Sequence, residues 1–256
     1  MPSESGAQER RPIVFLHIPK TAGQTVHHQI GGRIGLRNIS PVRDIVEVAP
    51  GQTHLPPGYS FYSGHIDWTD LDTLANPFAF TIFRDPRERI GSFYFYLLRQ
   101  ARSRTEEELV LPRFTGQRNI LKLSVDEYFT GGDRGWQRFI RNSYDNFYCT
   151  YLATGKIRGS QDMDGMDLQA RVSAARAGAA RLSAIYSTDN LEALEADMKD
   201  LLGAPINLAG NFSNVGHDSS GTSRWDDLLS RFETESAARQ MDRLVEADEA
   251  LMSALA

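Results

Sequence analysis

The chain has 256 residues, 41% hydrophobic and 24% charged, enough to bury a core, and α/β folds of this length commonly form one domain. Its formal net charge of −5 excludes the broad positive field of a general nucleic-acid or anionic-membrane binder, so an anion site has to be local. Cys149 is the single cysteine, which excludes an intramolecular disulfide and reads as a buried apolar filler.

Residues 1–11 are polar and charged, lack an apolar signal core, and are expected to be a disordered N-terminal segment ahead of a single domain over 12–256. No stretch approaches the roughly 20 apolar residues that cross a bilayer, so the expectation is a soluble cytoplasmic protein. The apolar, β-branched run from Ile13 to Ile18 predicts a first strand buried on both faces of a parallel sheet. Further strands are expected at Ile45 to Val48, Tyr59 to Tyr62, Phe78 to Phe83 and Ala184 to Tyr186, with helical patterns between or after most of them. This alternation predicts an α/β fold with a central, mostly parallel sheet.

The clearest helix starts after Asp85-Pro86, an N-cap followed by a proline tolerated in the first turn. Its apolar stripe is Ile90, Phe93, Tyr94, Leu97 and Leu98, which leaves Ser92 and Arg99 on the opposite face. The second half reads as largely helical: Asp167 to Leu182, Asn190 to Leu202, and Glu235 to the C-terminus. Gly131 to Gly135 reads as a surface turn, and Gly203 to Arg224 is the longest irregular stretch of this half.

Directly after the first strand comes Pro19-Lys20-Thr21-Ala22-Gly23-Gln24-Thr25 and then a short helix. Amides at such a strand-to-helix turn can point at an anion, and Gly23 permits close backbone approach. Lys20 adds a mobile point charge, and Thr21 and Thr25 add hydroxyl donors. The lysine precedes the glycine, so this is not a Walker A loop. An ordinary turn with a solvated lysine is the plain alternative, but the chain has only four lysines, which gives this one weight. Arg84 ends the strand at Phe78 to Phe83, where ligands approach an open α/β sheet, and a guanidinium there can clamp a phosphate. Ser92 can complete the clamp, although an ion pair of Arg84 with Asp85 or Glu88 explains the arginine equally well.

The segments HIPKTAGQT and FTIFRDPRERIGSFYFYLLR resemble the two cofactor signatures of sulfotransferases that use 3′-phosphoadenosine 5′-phosphosulfate (PAPS), especially carbohydrate sulfotransferases related to heparan sulfate 2-O-sulfotransferase. The resemblance implies a P-loop-like three-layer sandwich. It also implies that the loop Lys20, Thr21, Ala22, Gly23, Gln24 and Thr25 binds the 5′-phosphosulfate while Arg84 and Ser92 bind the 3′-phosphate. In the 2-O-sulfotransferases a stretch similar to Phe61-Tyr62-Ser63-Gly64-His65 carries two histidines around the glycine, the second a catalytic base. Here the second matches His65, and Ser63 replaces the first. The pKa of an unperturbed histidine suits such a base, and a histidine bonded to backbone is the structural alternative.

The other histidines are weaker candidates: His17 points from a strand, adjacent His27 and His28 lie in the first helix, and His54 sits beside a proline-rich turn. His217 lies in a stretch that loosely resembles a late loop approaching the cofactor. Asn142 to Leu152 resembles the acceptor side of bacterial members, with Tyr144, Asn146 and Tyr148 as candidate acceptor contacts. An aromatic stripe of Tyr144, Tyr148 and Tyr151 is more simply packing. Arg99, Arg102 and Arg104 would form a basic groove if they gathered on one surface. No metal is expected, because no cluster has ligand spacing. The expected reaction moves a sulfuryl group from PAPS to an acceptor hydroxyl, with a carbohydrate as the favoured acceptor, leaving adenosine 3′,5′-bisphosphate. The rivals are a P-loop kinase, with Asp85 imitating a Walker B acid, and a noncatalytic nucleotide-binding protein.

Overall fold

The structure is a computed structural model and describes residues 11–208 and 223–256. His217 lies outside the described residues. In chain order the elements are β1 (Ile13–Leu16), α1 (Gly23–Ile34), β2 (Phe61–Gly64), β3 (Phe78–Phe83), α2 (Pro86–Arg102), α3 (Glu106–Leu109), α4 (Thr115–Lys122), α5 (Val125–Thr130) and α6 (Arg134–Ser143). They continue with α7 (Phe147–Thr154), α8 (Leu168–Ala179), β4 (Ala184–Ser187), α9 (Glu192–Leu202), α10 (Arg224–Leu229), α11 (Glu235–Gln240) and α12 (Glu246–Leu255). The chain falls into two compact units that alternate along the sequence.

Among the described residues the first unit takes 11–18, 22–82 and 182–208. It is an α/β arrangement around a parallel sheet in the order β2-β1-β3-β4. β1 pairs in parallel with both β2 and β3, and its last residue, Leu16, lies opposite Gly64 at the end of β2. Alternation along the strands sends Ile13, Phe15, Phe61, Phe78 and Phe80 to one face, where Val26 and Ile30 of α1 and Leu194 and Met198 of α9 cover them. Val14 and Leu16 point the other way and are equally buried, the continuous apolar reading of a strand covered on both faces.

The expected strand at Ile45 to Val48 does not form. Ile45–Glu47 is a single 3₁₀ turn. Asp44 caps it through the Val46 N–H, and the Glu47 carboxylate bonds back to the Asp44 N–H, a reciprocal capping box that outweighs the β propensity of Ile45 and Val46. Val46 is 72% exposed, so no sheet face was available to bury it.

Among the described residues the second unit takes 19–21, 83–181 and 223–256 and is helical. Asp85 caps α2 through the Glu88 N–H, with Pro86 in the first turn as expected. Ile90, Tyr94, Leu97 and Leu98 pack into an aromatic core with Tyr128, Phe129, Trp136 and Tyr144. Gly178 of α8 lies so close to α7 that a Cβ there would be 1.9 Å from the Leu152 carbonyl oxygen. Cys149 is buried, and burial pushes its thiol pKa up.

The C-terminal stretch from Glu235 is not one continuous helix. A 3₁₀ turn at Met241–Leu244 separates α11 from α12 because the Asn146 side chain accepts from the Ala247 and Asp248 N–H groups and so caps α12 at its start. Asp248 returns the bond, its carboxylate accepting from the Tyr148 and Cys149 N–H groups at the start of α7. Burial raises its pKa to about 7. Arg89 is fully buried beside it, donates to the Ser143 carbonyl at 3.0 Å, and lies 4.9 Å from the Phe147 ring centroid.

Candidate functional site

In the first unit, the level ends of β1 and β2 bring two histidines together. His17 follows β1, His65 follows β2, and their ring centroids are 4.5 Å apart. His17 is buried and stacks on Phe15 at 5.3 Å. A Cβ on Gly23 would fall 1.8 Å from His17 Nε2, so the glycine at the start of α1 is required by this ring. The anion-approach reading of Gly23 thus acquires a second cause. His65 Nδ1 is 3.8 Å from a carboxylate oxygen of Asp44, and its Nε2 is buried with no hydrogen-bond partner among the described residues. Ser63, in place of the first histidine of the motif, is fully buried and its hydroxyl has no partner there either. His17, only a weaker candidate from the sequence, gains its place because the parallel register, not sequence proximity, sets it beside His65.

His27 and His28 do a different job. His27 Nε2 bonds the Arg43 guanidinium at 2.6 Å, and burial together with that positive charge lowers the His27 pKa to about 4. Neutral His27 therefore accepts from Arg43. His28 bonds the Gln24 carbonyl within α1.

The loop before α1 is strained. Lys20 has φ 75° and Ala22 φ 68°, a left-handed conformation that non-glycine residues rarely adopt and that costs on the order of 1 kcal/mol each. Thr21 is buried, Thr25 is half-buried and Gln24 is exposed. Such strain persists where the surroundings over-determine it, and it concentrates at functional sites.

In the second unit, Lys20 sits over the Tyr96 ring, 4.1 Å from its centroid, and positive charge accumulates around it. Burial, then Arg99, Arg84 and Arg224, lower its pKa to about 8. Glu88 holds two of these arginines, accepting from Arg84 at 3.2 Å and lying 3.6 Å from Arg224. The structural pairing of Arg84 is therefore real, and one carboxylate still leaves the cluster with an excess of positive charge. Arg84 is further fixed by Tyr148, whose hydroxyl donates to its carbonyl at 2.8 Å. Ser92 lies half-buried on α2. Arg224 had no local sequence signal. Ser223 caps α10, and Gly91 lets its backbone touch α2, since a Cβ on Gly91 would be 2.6 Å from the Arg224 carbonyl oxygen.

Tyr144 and Tyr148 are core residues, fully buried, as the packing reading has it, with the Tyr144 hydroxyl bonded to that of Tyr128, and Asn146 is spent on capping α12, so none of the three presents itself to an acceptor. Arg99, Arg102 and Arg104 do not act as a group: Arg99 faces Lys20, whereas Arg104 pairs with Glu108 at 2.8 Å. A cavity of about 260 Å³ lined by Arg11, Ile13, Ile34, Asn38 and Leu201 opens at the amino end of β1, away from His17 and His65. Arg11 there is committed to the Asn76 and Pro77 carbonyls.

Among the described residues no group of three or more His, Cys, Asp or Glu side chains is placed to hold a metal ion, and no helix is long and apolar enough to cross a membrane. No family profile matches the chain. No curated protein matches it either.

Proposed function

We propose that this protein is a sulfotransferase that moves a sulfuryl group from PAPS to an acceptor hydroxyl, with a carbohydrate as the favoured acceptor, on a P-loop-like core. The observation that carries the reading is Lys20, an ammonium held over the Tyr96 ring with its pKa lowered by burial first and then by Arg99, Arg84 and Arg224, a cost that an anionic ligand would offset. The strained loop at Lys20 and Ala22 and the resemblance of the two flanking segments support the same donor. In this reading Lys20 and the loop amides of Thr21 to Thr25 offset charge growing on the leaving phosphate, and Arg84 and Ser92 hold the 3′-phosphate. His65, in this reading, takes the proton of the acceptor hydroxyl. The kinase reading asks Asp85 to hold a magnesium ion, whereas that carboxylate caps α2.

Thermal denaturation with adenosine 3′,5′-bisphosphate or Mg-ATP tests the reading. A ligand at a hundred times its Kd adds about 2.7 kcal/mol, a rise of roughly 5–10 °C for a chain of this size. The expected result is a rise with the bisphosphate that shrinks in Arg84→Ala. A rise with Mg-ATP alone would favour the kinase, and no rise with either would remove the nucleotide site.

A further inference from the structure

The bonding around His65 assigns a role to Asp44 that the motif leaves open. Gly64 has no Cβ because the chain at residue 43 occupies that space: a Cβ would be 2.2 Å from the Arg43 carbonyl oxygen. The close approach lets residues 43–45 bridge to the end of β2 in parallel. The His65 N–H donates to the Arg43 carbonyl at 2.9 Å, and the Ile45 N–H donates to the His65 carbonyl at 3.1 Å. Asp44 is thereby set directly beside His65.

Its carboxylate reaches both the turn and the histidine. Oδ1 accepts the Val46 N–H at 3.1 Å, and Oδ2 stands 3.8 Å from His65 Nδ1. Asp44 is itself held, since the Glu47 carboxylate accepts from both the Arg43 and Asp44 N–H groups, at 2.6 and 3.1 Å. The other ionisable groups around this bridge are His17 against the His65 ring and Arg43, whose guanidinium is bonded to His27 of α1. A neutral imidazole carries one proton, and the nitrogen facing a carboxylate keeps it.

We propose that Asp44 is the positioning residue for His65, holding the proton on Nδ1 so that Nε2 keeps the lone pair that accepts the substrate proton. The inference rests on His65 being the base of the transfer reaction. In that step the acceptor O–H bond breaks and its proton passes to Nε2. The oxygen forms the new bond to sulfur, and the bond from sulfur to the 5′-phosphate oxygen breaks with its electron pair on adenosine 3′,5′-bisphosphate. The imidazolium so formed faces the Asp44 carboxylate, and contacts of this kind tighten as charge develops.

Asp44→Ser retains a residue that caps helical turns but removes the carboxylate. Full-length protein labelled with ¹⁵N-histidine, with His65→Gln to assign the signal, reports the tautomer at a pH where His65 is neutral. The wild type is expected to show the Nδ1–H form, and Asp44→Ser a shift towards Nε2–H. The kcat for sulfuryl transfer should fall about 10-fold or more, part of the 10²–10⁴ a general base supplies, with the donor KM little changed. Asp44→Asn, nearly isosteric, carries the same readouts should the serine variant lose the fold. A wild-type Nε2–H form, or an unchanged tautomer in folded variants, overturns the assignment. If the tautomer responds but no acceptor is sulfated, the transfer reading fails and the Asp44–His65 pairing stands. If transfer is robust and indifferent to Asp44, the pairing alone fails.

Discussion

Replacing Lys20 by methionine is expected to stabilise the folded protein at neutral pH while weakening its hold on anions. The fall of the Lys20 pKa from the ordinary 10.5 to about 8 corresponds to about 3 kcal/mol spent on keeping the ammonium charged in the folded state. The side chain is only half-buried, so solvent screening reduces that penalty, and the lost contact with Tyr96 removes a further ~0.5–1 kcal/mol of the gain. The net expectation is a variant more stable by about 1–2 kcal/mol at pH 7. The sign of the pH dependence follows from the depressed value. Between about pH 8 and 10.5 the unfolded chain holds a proton that the folded chain has released, so wild-type stability rises with pH there. The advantage of Lys20→Met should be full below pH 8 and shrink through that window. Reversible urea unfolding at pH 7 and pH 10, in low salt, measures both quantities. A methionine variant that is no more stable at pH 7, or whose advantage is the same at both pH values, would refute the picture of Lys20 as a charge held against its neighbours.

Gly64→Ala should cost about 2–4 kcal/mol, because a Cβ 2.2 Å from the Arg43 oxygen forces residues 43–45 away and breaks both hydrogen bonds of the bridge; a lowered unfolding midpoint with faster amide exchange at Ile45 and His65 would show it. Arg89→Ala should cost about 2–5 kcal/mol by leaving the buried Ser143 carbonyl without its donor and a cavity beside the Phe147 ring, measured by chemical denaturation.

The parts of the fold written locally were legible. The strands around Val14, Tyr62, Phe80 and Tyr186 and the Asp85 cap of α2 each follow from a run of apolar residues or a capping side chain. Ile45 to Val48 misled because three β-branched residues outweighed the Asp44 and Glu47 spacing of a capping box, a signal that was present in the sequence. The break before α12 had no such signal, since its cap is Asn146, about a hundred residues away. The candidate site divides in the same way. Lys20, His65 and Arg84 stand at strand ends that sequence locates, whereas His17, Asp44 and Arg224 take their places through strand register, a backbone bridge and the contact of Gly91 with the start of α10.

The order in which the chain builds its sheet bears on how it leaves the ribosome. β1, β2 and β3 are made first, but β4, the neighbour of β3, follows only after the intervening residues 84–183. At about 5–20 residues per second, that stretch takes roughly 5–20 s to synthesise. During that interval the outer edge of β3 has no strand to pair with, and its sequence, Phe78-Ala79-Phe80-Thr81-Ile82-Phe83, is uncharged and aromatic. Such an edge invites pairing with another nascent chain. Slower growth temperature or a chaperone that shields strand edges should therefore improve the soluble yield of this protein more than any change made to its finished surface.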